Sequence, residues 1–159
     1  MNTIQHGTKY KTITIVVIVS CILLAASCNM LNSLYDEWTL DLPNGYYLVK
    51  INTHDIKMVD QSTCYVPNDC NYFVQSFFCN ERFVCLKCIY ISDAMKKLSF
   101  HELFLQNDSF FIMFDTSERR TVGFYTSETE LESQIKSLED PFIVQWTTTE
   151  IKPDGAYYN

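Results

Sequence analysis

The sequence predicts an α+β domain, mainly an antiparallel sheet of hairpins with one C-terminal helix packed on one face. Two observations predict it. Short runs rich in Tyr, Phe, Ile and Val recur along the chain, and turn residues break them at close spacing. A single stretch beginning at Ser127 carries both a helical cap and a helical apolar stripe. A third observation narrows the class: only four Gly and four Pro occur in 159 residues, too few for a low-complexity or disordered chain.

Taken in order, Trp38-Thr39-Leu40-Asp41-Leu42 alternates apolar and polar as a short strand does. Pro43-Asn44-Gly45 then predicts a turn, because Pro presets one backbone dihedral and Asn and Gly tolerate those that follow. Residues 46–51 and 56–59 read as a hairpin joined through Asn52-Thr53-His54-Asp55. Residues 72–78 and 82–91 are apolar at nearly every position, which suits central strands covered on two faces. Residues 92–105 admit two readings: Ser92 or Asp93 caps a helical turn through Leu98, while 100–105 forms a strand that hairpins through Asn107-Asp108 into 110–115. After the polar turn 116–120, residues 122–125 read as a strand.

The clearest helix runs from Ser127 to about Leu138. Ser127 and Glu130 have the spacing of a capping box, and Leu131, Ile135 and Leu138 fall at i, i+4 and i+7 on one face. Asp140-Pro141 stops it, 142–146 is expected as a last strand, and the tail from Lys152 is expected to be loose.

The first residues speak about location. Lys9 and Lys11 precede an apolar run of fourteen residues, 13–26, and small residues lead into Cys28. A membrane-spanning helix needs about 20 residues to cross a core of roughly 30 Å, so this run has the length of a signal peptide core. The expected organisation is a lipoprotein signal peptide at 1–27, a lipidated N-terminus and spacer at 28–36, a single globular domain at 37–151 and a loose tail at 152–159. Cys21 is a poorer acceptor, with bulky Val19 two positions before it. An uncleaved anchor, and ordinary secretion after cleavage near Ala26, are the rival readings. A buried methylene contributes about 0.8 kcal/mol, so palmitate-like chains on Cys28 form a lasting tether to the outer face of the cell membrane.

Without 1–27 the chain keeps ten basic against nineteen acidic residues, a formal charge of −9. That excess repels phosphate backbones, and nucleic acid is not an expected partner. The expected partners are the membrane, through the lipid anchor, and an envelope protein.

Leu42-Pro43-Asn44-Gly45-Tyr46, the aromatic hairpin around 80–89, Phe111-Ile112-Met113-Phe114-Asp115-Thr116 and Thr126-Ser127-Glu128 together carry a resemblance. On these residues the chain resembles a family of small uncharacterised lipoproteins of Gram-positive bacteria, a domain of unknown function. The resemblance implies an envelope location and a fold, and implies no chemistry. The many cysteines depart from that pattern.

Five cysteines lie beyond Cys28, at 64, 70, 79, 85 and 88. Cys64 and Cys70 flank a five-residue turn, Tyr65-Val66-Pro67-Asn68-Asp69, that could bring them within bonding distance; unpaired thiols are the alternative. Cys85 and Cys88 have metal-pair spacing, but residues three apart on a strand face opposite ways, so a zinc site with Cys79 and His101 is not expected. His101-Glu102 lacks the second histidine of a zinc-protease helix, since position 105 is Leu. No nucleophile elbow or phosphate loop occurs. Asp108, Asp115 and Glu118 are the carboxylates that a non-motif enzyme site would use. Aromatic residues such as Tyr46, Phe77 and Phe114 are expected mostly in the core, with an exposed subset as a binding patch. The expected function is a lipid-anchored binding or structural envelope domain, not an enzyme, with neither cofactor nor metal. An envelope enzyme with a carboxylate site and a surface immunity protein are the alternatives.

Overall fold

A computed structural model of the chain describes residues 37–158 apart from 63 and 68–70. The leader, Cys28 with its spacer, and Cys70 lie outside the described residues. No helix among those described is long and apolar enough to cross a membrane.

Strand β1 (Trp38–Leu42) pairs antiparallel with β2 (Tyr46–Asn52), placing Trp38 opposite Lys50 and Leu42 opposite Tyr46. Asn44 (φ 59°) and Gly45 (φ 80°) reverse the chain, and both take the left-handed conformation that these two residue types tolerate best. Strand β3 (Asp55–Val59) follows through a short turn in which the Asn52 side chain accepts from His54 N and donates to the Asp55 carboxylate, both at 2.8 Å. His54 is tied down as well, with Nε2 2.8 Å from the Leu98 carbonyl.

Strands β4 (Tyr72–Cys79), β5 (Phe83–Tyr90), β6 (Ser109–Asp115) and β7 (Arg120–Tyr125) pair antiparallel in that order, β4–β5 and β6–β7 as hairpins and β5–β6 across residues 91–108. The Asn80 carboxamide oxygen closes the first of these by accepting from Arg82 N and Phe83 N at 3.0 and 2.7 Å. A bulge in β4 sets Gln75 aside from the ladder. Its buried side chain donates to the Leu103 and Gln106 carbonyls, at 2.8 and 3.2 Å, and so satisfies the end of the short helix α1 (Phe100–Phe104). Residues 100–104 are therefore helical, with Leu105 as the C-cap. Ser99 and Glu102 make a reciprocal capping box there, which outweighs the strand reading of the same residues.

Helix α2 (Glu128–Lys136) is capped by Ser127, whose side chain accepts from Glu130 N. The Glu130 carboxylate bonds Thr126 N and Oγ1, at 2.8 and 3.0 Å, one residue earlier than the capping-box pattern predicts. The expected strand at 142–146 is absent. Phe142, Val144 and Trp146 alternate as strand residues do, but they use that alternation to lay one apolar side against Phe83, Cys85, Phe111 and Met113 without ladder bonds. Only β8 (Thr147–Thr148) pairs, beside Phe77 and Ser76 of β4. The tail is likewise not loose: Ala156 is buried and β9 (Tyr157–Tyr158) pairs with Trp38 and Thr39.

The result is mainly antiparallel β, in two sheets ordered β3-β2-β1-β9 and β7-β6-β5-β4-β8. Side chains alternate between two apolar clusters. Val84, Leu86 and Cys88 of β5 and Phe110, Ile112 and Phe114 of β6 join Trp38, Leu48, Ile56 and Met58 in a core shared by both sheets. Phe83, Cys85, Phe111 and Met113 instead join Leu131 and Ile135 of α2.

Candidate functional site

Three chain reversals and strand ends far apart in sequence meet around one cleft of about 470 Å³. The β1–β2 turn brings Asn44 and Gly45, with Tyr46 at the start of β2; the chain after β3 brings Asp60, Gln61, Ser62 and Tyr65. The turn between β6 and β7 brings Arg119, beside Phe114 and Thr121. The volume is that of a small-molecule pocket.

The aromatic wall is fixed by packing. Tyr46 meets Phe114 edge-on at 5.1 Å between ring centroids, and the Lys57 ammonium sits 4.4 Å from the centre of the Tyr65 ring. Asn44 is committed elsewhere: its amide donates to Thr116 Oγ1 at 2.8 Å and to the Glu81 carbonyl at 3.2 Å, locking the two turns together. Gln61 folds over Gly45 so closely that any side chain at 45 would collide with its amide.

The charges are arranged with equal economy. Asp60 Oδ1 accepts from Ser62 N, Ser62 Oγ and Cys64 N at 2.9, 2.7 and 3.1 Å. The Ser62 hydroxyl and the Cys64 amide hold its carboxyl below the usual carboxylate range, with the Arg119 charge adding to the effect. Burial raises the Tyr46 phenol, while Arg119 pulls it down and Asp60 pushes it up, so the three groups share one field. Arg119 and Asp60 nonetheless form no direct ion pair. Arg119 is also a non-glycine residue in the left-handed region, at φ 54°.

The carboxylates singled out from sequence are divided. Asp115 is buried and takes Arg82 Nε at 2.9 Å and the Ser117 and Glu118 amides at 3.0 Å each. Glu118 joins it through the same guanidinium at 3.2 Å and also pairs with Arg120. Asp108 lies before β6, at the opposite end of that strand from Asp115, so the three carboxylates do not converge. A further hollow of about 540 Å³ lies between the β4–β5 turn, with Arg82, and residues 138–142.

His101 pairs with Glu150 at 2.5 Å on the surface. Cys85 and Cys88 belong to the two different clusters, as strand alternation requires. Among the described residues no group of three His, Cys, Asp or Glu could hold a metal. Cys64 carries an exposed free thiol, and Cys70, its expected partner, lies outside the described residues. Burial pushes the Cys85 thiol up to about 12 and raises Cys79 as well. In reduced protein an alkylating reagent should therefore modify Cys64 within minutes, and Cys85 and Cys88 only on unfolding; peptide mass mapping along a denaturant series checks the order.

Sequence reasoning missed Asp60, Gln61 and Arg119. Asp60 and Gln61 follow the predicted strand 56–59 with no motif to mark them, and Arg119 fell within the polar turn 116–120.

Fold and cleft together define a small two-sheet antiparallel domain with a mixed aromatic and charged cleft between its turns. Comparison with protein-family models, with curated proteins and with solved structures finds no match to the chain.

Proposed function

We propose that this protein is a lipid-anchored extracytoplasmic binding domain, tethered through Cys28 and working without catalysis. The observation that carries the binding half is the cleft. Its aromatic wall is held by packing, and it sets the Asp60 carboxylate and the Arg119 guanidinium beside one hollow. Asp115 and Glu118, the carboxylates of the enzyme alternative, are both engaged with Arg82 and brace a turn. The tether rests on the basic leader, the short apolar run and the small residues before Cys28. An envelope protein remains the expected macromolecular partner.

Cell fractionation tests the tether. Produced in a bacterium with its leader, the chain should sediment with membranes and incorporate labelled palmitate. Cys28→Ala should abolish the label and leave the leader uncut. Recovery of unmodified full-length chain from the soluble interior would overturn the reading.

A further inference from the structure

The cleft deepens that reading, because its polar groups specify the charge of what it takes. Resting on the binding function proposed above, we infer that the cleft between Arg119 and Asp60 binds a small zwitterion, an amino acid with a large apolar or aromatic side chain.

Arg119 is exposed and forms no hydrogen bond or ion pair among the described residues, so the donors of its guanidinium are open to a ligand. Asp60 spends only Oδ1 on its own turn and leaves Oδ2 as a free acceptor. An exposed cation and a carboxylate held by its own turn thus line the same hollow without a direct ion pair between them. A simple anion would meet Asp60 as a repulsive neighbour, and a simple cation would meet Arg119 in the same way. A ligand carrying both charges satisfies both: its carboxylate takes the guanidinium and its ammonium takes Oδ2. The Gln61 amide, which has no partner among the described residues, adds a donor and an acceptor beside them.

The remaining wall chooses the side chain. Tyr46 and Phe114, 5 % and 4 % exposed, back the cleft from the core, and Tyr65, 40 % exposed with Lys57 against its ring, offers aromatic surface to a ligand. A cleft of about 470 Å³ has room for one amino acid with a large side chain and for bridging water. Arg119 sits in the left-handed region at φ 54°, so glycine is the replacement that keeps the backbone of its turn.

Calorimetric titration of the full chain in mild detergent tests this, with L-phenylalanine, L-leucine and L-tyrosine as probes. Saturable binding with one site per chain is expected for at least one of them. Removing either charge, as in 3-phenylpropionate or phenethylamine, or the side chain, as in glycine, should weaken binding at least about tenfold. Arg119→Gly suits the left-handed backbone, and Asp60→Asn keeps an oxygen for the Ser62 and Cys64 amides. Both should stay folded by circular dichroism and lose at least about tenfold in affinity. The inference is overturned if no probe saturates, if 3-phenylpropionate binds as well as phenylalanine, or if the folded variants bind like the parent. Because the titration does not depend on lipidation, failure of the tether leaves this result standing. Failure here leaves the tether untouched.

Discussion

Trp38→Ala is expected to cost about 3–5 kcal/mol of stability, the largest loss of any single change considered. Trp38 is 1 % exposed and lies in β1, between β2 on one side and β9 on the other. It contributes to the core shared by both sheets, with Leu48, Ile56 and Met58 among its members. Truncation to Ala leaves a cavity whose walls are strands already fixed by their ladders, so the site collapses little and the cavity penalty adds to the lost burial. For a domain of this size the loss is a large fraction of a total stability of about 5–15 kcal/mol, and the melting temperature should fall by roughly 10–20 °C. Trp38→Phe keeps most of the volume and should cost less than half as much. The second tryptophan makes the measurement direct. Trp146 packs against Phe111 in the other cluster and donates to Glu128 at 2.6 Å, so its fluorescence reports unfolding after Trp38 is gone.

Asp115→Ala should come next, at about 2–4 kcal/mol by thermal or urea unfolding. Burial alone would raise the pKa of this carboxyl, but the hydrogen bonds from Arg82, Glu118 N and Ser117 N and the Arg82 charge outweigh it and hold it below the usual range. Arg82 is half exposed, so water screens its share, and the two backbone amides carry much of the effect. Removing the carboxylate leaves both amides short of an acceptor and frees the turn that presents Arg119. Asp115→Asn keeps an acceptor oxygen and should cost about half as much. The sign of the pH dependence follows from the lowered folded-state value. Asp115 contributes fully above the unfolded carboxyl value of about 3.9, and its contribution is lost as pH falls through the lower folded value. Acid unfolding followed by circular dichroism should therefore begin at higher pH in Asp115→Ala than in the parent.

How much of this was legible depends on the range over which each feature is decided. The β1–β2, β2–β3, β4–β5 and β6–β7 reversals could be read because period-two apolar alternation and turn residues such as Asn44-Gly45 and Asn80 are local signals; the β5–β6 pairing across residues 91–108 could not. Helix α2 was legible for the same reason, since Ser127 with Leu131 and Ile135 encodes both its start and its buried face. At 100–105 the aromatic content favours a strand as much as a helix, and the Ser99–Glu102 box that decides it was overlooked. The 142–146 segment misled for a physical reason. Alternation reports one buried side of an extended chain, and it cannot tell whether the backbone amides bond to a neighbouring strand.

By itself the sequence determined that the domain is mainly antiparallel strands with few helices, and where most of its tight turns and the helix after Ser127 begin, because propensity, capping and turn chemistry act within a few residues. Only the tertiary structure decided that the strands divide into two sheets, that the tail returns to pair with Trp38, and that Tyr46, Asp60 and Arg119 face one cleft. Those are contacts between residues tens of positions apart. They are chosen by how whole apolar faces bury against each other, and no local run of the chain carries that choice.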